Sequence, residues 1–275
     1  MEFIDIILLV IAGAFGGFLS GLLGVGGGII FVPMLDMVFK HLDVPEEMMV
    51  PCILSNSLFI IIFTGILNSR RQYIHKNFFF KESLFAGLGG NITSLLTTWI
   101  TLEFITYDKV TFNLLFVCLL TPFIIKMLMS KSQPDDEIKP IPKPKTFFLS
   151  GLVTGVFTAL SGLGGGIVMI PIFHDIMKVD IKKATSISAG TVPFLALPLV
   201  LYYMYNGRAI DIPNVYNLGY VIWPVSLLLL FGVLFTVSLG VNTSKKLPAI
   251  WIKRIFATFS IIVIVKMILE TIYKL

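Results

Sequence analysis

Charge is scarce in this chain. Only 13% of its 275 residues are Asp, Glu, Lys or Arg, while 56% are hydrophobic and the mean hydropathy is +0.92; soluble domains carry roughly twice that share of charge. Too little polar surface exists to clothe a soluble fold, so composition alone defines an integral membrane protein with many spans. Cysteine is nearly missing as well. Cys52 and Cys118 both lie in apolar runs, which excludes a disulfide framework or a thiolate metal site and leaves them as small packing residues. The three histidines, His41, His75 and His174, fall at segment ends, and no apolar segment has a carboxylate at its centre. A metal-dependent enzyme and an intramembrane serine protease are both unsupported, so no catalytic residue, metal or cofactor is expected. Nor does a basic leader precede the first apolar run: Glu2 and Asp5 stand there instead, and that run is expected to stay as a span.

What the chain does have is ten apolar segments, near 3–23, 28–40, 50–68, 83–102, 110–129, 146–163, 166–178, 183–205, 216–240 and 252–273. Crossing a hydrocarbon core takes about 20 residues of helix, which 28–40 and 166–178 do not reach. Each of these short pieces follows a glycine tract, "GLLGVGGGIIFVPML" from Gly21 and "ALSGLGGGIVMIPIF" from Ala159. The two tracts are 138 residues apart. "RQYIH" and "GRAID" recur at an offset of 136, and "IIKML" and "IVKMI" at 140, so a five-segment unit is duplicated. Residues 1–130 form the first repeat, the polar, proline-rich 131–145 a linker, and 146–275 the second repeat.

Basic residues then orient the halves. The loops after segments three, five, seven and nine hold 16 of the 21 Lys and Arg residues, so that side is cytoplasmic and both termini face outward. The first repeat begins outside and the second inside, which makes the repeats inverted. The net charge of +5 follows from this membrane-flanking distribution and calls for the lipid bilayer, not a nucleic acid, as the basic face's neighbour. The expected fold is all-α and membrane-embedded: about ten helical segments in two inverted repeats, each opening with a helical hairpin, 3–40 and 146–178, broken at a Gly-rich tip.

A break of this kind survives in a membrane only against protein or a wet cavity. In transporters built from inverted repeats, broken helices form the substrate site near the midplane. The tips Gly26, Gly27, Gly28 and Gly164, Gly165, Gly166 are therefore the candidate site, with free N–H groups at the starts of the second arms favouring a small anion. Gly13, Gly17 and Gly21, and Gly151 with Gly155, are small residues at four-residue spacing and read as helix packing. Neither tract has the spacing of a nucleotide-binding loop.

The paired tracts, each followed by a small-polar cluster ("LSNS" at Leu54–Ser57, "KATSISAG" at Lys183–Gly190) and ending in the "IIKML" and "IVKMI" helices, resemble the sulfite exporter TauE/SafE family over essentially the whole chain. The resemblance implies a permease of the cell (inner) membrane that moves sulfite, organosulfonates or another small sulfur-containing anion. Its Ala-Thr-Ser cluster is carried by Ala184, Thr185 and Ser186, whereas Val50, Pro51 and Cys52 occupy the aligned positions of the first half. Such an anion presents oxygens and no donor. Beside the glycines, Ser55, Asn56, Ser57, Thr185, Ser186 and Ser188 are the candidate donors, with Asn91, Thr93 and Ser94 behind them. Lys126 and Lys266 hold matching places and read as snorkelling lysines; Asp36 reads as near-surface. A passive anion channel, a transporter of another small anion and a flux-free scaffold or sensor are the alternative readings, and the oligomeric state is not encoded in any legible pattern.

Overall fold

The computed structural model describes residues 3–105, 108–129, 141–207 and 216–274. Ten α-helices account for nearly all of it. The first half contains α1 (Phe3–Leu23), α2 (Gly28–His41), α3 (Glu46–Ile74), α4 (Phe80–Glu103) and α5 (Lys109–Met129). The second contains α6 (Pro144–Ser161), α7 (Gly166–Pro171), α8 (Ile181–Asn206), α9 (Trp223–Lys246) and α10 (Ala249–Lys274). Among the described residues, α1, α3, α8 and α9 are each long and apolar enough to cross a membrane. The chain is a multi-pass, all-α membrane protein.

Two segments differ from the sequence reading. The helical arm expected over 166–178 is α-helical for only six residues and then continues as a π-helical turn, Ile172–Ile176. Pro171 ends the regular ladder because it has no N–H to donate. The helix expected from 216 begins at Trp223. Residues 217–222 instead form a two-rung antiparallel ladder, β1 (Asn217–Leu218) with β2 (Val221–Ile222), turned at Gly219 with φ +61°, a value at which L side chains are strained. Of the cysteines, Cys52 is buried, but Cys118 is exposed on α5. The aligned stretch at Arg208–Asp211 and the side chain of Lys126 lie outside the described residues.

Helix packing follows the small residues. Along α1, a Cβ at Gly13 would lie 2.0 Å from the Leu229 carbonyl oxygen, one at Gly17 2.8 Å from Val233 Cα, and one at Gly21 2.1 Å from the Val237 carbonyl oxygen. The same ascending order shows that α1 and α9 run parallel in backbone contact. In the other half, a Cβ at Gly151 would lie 2.1 Å from the Ala86 oxygen and one at Gly155 2.2 Å from the Gly90 oxygen, so α6 runs parallel to α4. Each half's first helix thus packs on the other half's fourth. α3 and α8 cross antiparallel, with Gly65 against Pro193 and the Ser69 hydroxyl on the Ala189 carbonyl. This arrangement brings the α1–α2 and α6–α7 turns together in the middle of the bundle.

Candidate functional site

Each tip is a run of left-handed backbone. Gly24, Gly26 and Gly27 have φ of +70°, +85° and +82°; Gly162, Gly164 and Gly165, at the same offsets in the second tip, have +67°, +70° and +76°. Three such residues in four reverse the chain sharply while leaving the next residue able to start a helix, at Gly28 and at Gly166. The tips abut. A Cβ at Gly28 would fall 2.8 Å from Leu163 Cα, and one at Gly166 2.5 Å from Val25 Cα. Ile61 of α3 and Val192 of α8 both lie against both tips, with Ile61 Cγ2 3.1 Å and 2.7 Å, and Val192 Cγ1 3.6 Å and 3.5 Å, from the Cβ positions of Gly26 and Gly164.

Hydrogen bonding at the tips is one-sided. Ser57 on α3 donates to the Gly162 carbonyl at 2.8 Å, and Ser188 on α8 donates to the Gly24 carbonyl at 3.1 Å. Each half therefore secures the other half's tip. Thr64 adds a bond to the Gly26 carbonyl at 2.9 Å, and Asn68 one to the Ser20 carbonyl at 3.1 Å. The carbonyls are served by side chains, whereas the N–H groups of Gly26, Gly27 and Gly28, and of Gly164 and Gly165, find no backbone acceptor among the described residues. Buried donors without partners are costly, and they cluster where the sequence placed an anion.

The other predicted donors are elsewhere engaged. Ser55 Oγ donates to the Tyr220 carbonyl at 2.8 Å, and Asn56 Nδ2 to the same carbonyl at 2.9 Å and to Cys52 O at 2.7 Å. Asn56 Oδ1 accepts from Ile222 N at 2.9 Å and from Ser226 Oγ at 2.6 Å. These two residues anchor the β1–β2 ladder and close that end of the bundle. Ser186 donates to the Asn77 carbonyl at the opposite end, and Thr185 to its own helix at Lys182 O. Thr93 donates to Leu152 O, and Ser94 to Asn91 O. The crosswise serines also correct the internal register. Ser57 matches Ser188 and Leu54, which touches Gly162, matches Thr185, which touches Gly24; the cluster Ala184–Thr185–Ser186 thus corresponds to Ile53–Leu54–Ser55 and not to Val50–Pro51–Cys52.

Asn56 is fully buried, and its loss would strip the Ile222 N–H and the Ser226 hydroxyl of their Asn56 partner together, leaving the Tyr220 carbonyl to Ser55 alone. At about 1–3 kcal/mol per orphaned buried group, Asn56→Ala is expected to lower the melting temperature in detergent measurably, while Ser55→Ala, which leaves the Asn56 bonds in place, has the smaller effect. A thermal-shift comparison of the two variants checks this.

Charge enters at the ladder end in a way that the sequence concealed. Asp36 on α2 is 1% exposed, not near-surface. Its Oδ1 lies 2.6 Å from Lys109 Nζ of α5, its Oδ2 3.3 Å from Lys40 and 3.8 Å from Lys266 of α10. Lys40 also pairs with Glu270. Lys266 does not snorkel outward: its ammonium donates to the Pro33 carbonyl of α2 at 3.0 Å. Position 174 matches Asp36 in the second half, and there a buried His174 makes a 3.0 Å contact to the Val179 carbonyl. Among the described residues no group of His, Cys, Asp and Glu is arranged to hold a metal ion.

Two facing hairpins, broken at glycine tips in the middle of a bundle of membrane-spanning helices, are compatible with a membrane transport protein. The model of the sulfite exporter TauE/SafE family matches residues 9–267, and the chain belongs to that family. It is 30% identical to a probable membrane transporter protein of Methanocaldococcus jannaschii over 87% of this chain and 86% of that one. A probable membrane transporter protein of Haemophilus influenzae is 29% identical, over 98% and 100% of the two chains. One from Bacillus subtilis is 22% identical, over 98% and 99%. No solved structure matches the chain.

Proposed function

We propose that the protein is a carrier of small sulfur-containing oxyanions such as sulfite or organosulfonates, working by alternating access, with the anion held between the two glycine tips. The observation that carries this reading is the division of labour at the tips: hydroxyls cover the carbonyls, and the glycine N–H groups of both tips are left open. An oxyanion accepts hydrogen bonds and donates none, and a glycine-lined contact leaves room for its oxygens. The halves are inverted repeats in this proposal, supported by the parallel α1–α9 and α4–α6 contacts and by the crosswise serines. The termini lie outside and the linker lies in the cytoplasm, which puts Asp36, Lys109 and Lys266 at the outer end and Lys182 and Lys245 at the inner end.

Purified protein in liposomes preloaded with sulfite, thiosulfate or ethanesulfonate should catalyse saturable counterflow of the labelled anion. Ohmic currents without counterflow would replace the carrier with a channel. Absence of flux for every anion of the class would leave a scaffold or sensor.

A further inference from the structure

At the end of the bundle opposite Asp36 lies a cavity of about 330 Å³, lined among others by Leu22, Gln72, Asn77, Lys182, Thr185 and Lys245. Three lysines are among its lining residues, Lys182, Lys183 and Lys245, and none has a carboxylate partner within 4.0 Å among the described residues. Lys182 and Lys183 come from the start of α8, Lys245 from the end of α9, and Arg71 of α3 is within electrostatic range of Lys245. One carboxylate, Asp180, borders the cavity. Its Oδ1 is turned to the helix start, accepting from Lys182 N at 2.9 Å and Lys183 N at 3.2 Å, so it caps α8 and pairs with none of the ammoniums.

A positive membrane flank alone does not account for this geometry. Lysines that serve the headgroups spread over a convex rim, whereas these line one concavity from two helices far apart in sequence. A second observation comes from Gln72, which is 5% exposed. Its Oε1 accepts from Asn77 Nδ2 at 3.2 Å, its Nε2 makes no hydrogen bond among the described residues, and the residue lines the cavity. A largely buried amide side chain and three lysines without a carboxylate partner line one space. The floor reaches the candidate site: Thr185 belongs to the lining, and a Cβ at Gly24 would fall 2.6 Å from the Thr185 carbonyl oxygen. At the other end, the position matching Gln72 is Tyr203, fully packed against Tyr220 of the ladder, so the two ends differ.

We infer that this cavity is a loading site for a doubly charged oxyanion, held by Lys182, Lys245 and Gln72 before it reaches the first glycine tip. The inference rests on the proposed carrier function and deepens it. Charge count decides the preference: with several cations and one occupied carboxylate, a second negative charge on the ligand roughly doubles the Coulombic attraction at a given distance. Inorganic sulfate and sulfite are therefore held in preference to a singly charged sulfonate of similar size.

The experiment uses the full chain with Ser244→Cys as a reporter. Ser244 borders the cavity, and its hydroxyl bonds only its own helix, at Val241 O. The rate of alkylation by a charged maleimide is followed against added sulfate or ethanesulfonate, in liposomes of neutral lipid and in liposomes containing phosphatidylglycerol. Labelling of the unsubstituted chain is subtracted. Sulfate should protect at a concentration at least tenfold below that of ethanesulfonate. Lys182→Gln with Lys245→Gln should raise the sulfate requirement at least tenfold without changing the melting temperature, and the corresponding Lys→Arg pair should keep most of the protection. Equal protection by both anions, no protection, or protection that appears with the anionic lipid alone would each overturn the inference. Failure of the carrier reading is separate: protection by sulfate with no counterflow leaves the loading site standing, and counterflow without protection removes the site but not the carrier.

Discussion

Gly166→Ala and Gly28→Ala should each cut counterflow by at least about tenfold while the protein remains folded. Neither glycine has a positive φ, so alanine suits its backbone, and as a helix former it is better by about 1 kcal/mol. The difficulty lies across the interface. A methyl at 166 would sit 2.5 Å from Val25 Cα and 2.9 Å from the Val25 carbonyl carbon and oxygen; one at 28 would sit 2.8 Å from Leu163 Cα and 3.1 Å from the Gly162 oxygen. Backbone cannot swing aside as a lysine end would, so the tips must separate. Overpacking of this kind costs about 1–3 kcal/mol, and 1.4 kcal/mol is about a tenfold change in a population. That strain falls on the state in which the tips meet. Wild-type flux in either variant would remove the tips from the transport path.

Gly27→Leu and Gly165→Leu test something else. Gly27 and Gly165 are left-handed, and a Cβ there turns back into its own hairpin, 2.8 Å from the Gly16 oxygen and 2.4 Å from Thr154 Cγ2 respectively. A left-handed L-residue costs about 1–2 kcal/mol before any clash. These variants are expected to lose the melting transition together with the flux, which a thermal-shift assay separates from the alanine variants.

The contrast shows what a sequence carries. Triple glycine in an apolar run, repeated at a fixed offset, is legible as a break because it contradicts its surroundings twice, and the ten segments are legible because lipid demands their length. Direction is not. Whether Gly27 or Gly28 faces the opposite tip depends on a rotation of about 100° per helical residue, set by how the hairpin seats on α3 and α8. Hydroxyl partners are equally hidden: Ser57 and Ser55 are two residues apart, yet one reaches Gly162 and the other Tyr220. The ladder at 217–222 is not legible because Val221, Ile222 and Trp223 continue the apolar run without a break, and only Gly219 marks the turn. Asp36 looked isolated because its partners stand on α5 and α10, far along the chain.

Asp36→Asn is expected to destabilise the protein strongly, and the reason is Lys109. That lysine is 6% exposed, and its ammonium has Asp36 Oδ1 at 2.6 Å. Lys40 keeps Glu270 and Lys266 keeps the Pro33 carbonyl, so Lys109 bears the loss. Removing one member of a buried pair costs about 3–5 kcal/mol because a charge is left without compensation, which for a chain of this size corresponds to a fall in melting temperature on the order of 10 °C. Asp36→Asn with Lys109→Met removes both charges and should recover most of that fall, since an apolar pair can replace a buried ion pair at little cost. Equal melting temperatures for the single and double variants would show that the two groups are not coupled. Flux then sorts strut from machinery. Asp36 stands eight residues beyond Gly28 on the same helix, about 12 Å away at 1.5 Å per residue, and the cluster ties that arm to α5 and α10. A strut restored in stability restores counterflow too; a double variant that is stable and silent would mean that the charge itself takes part when the outer end opens.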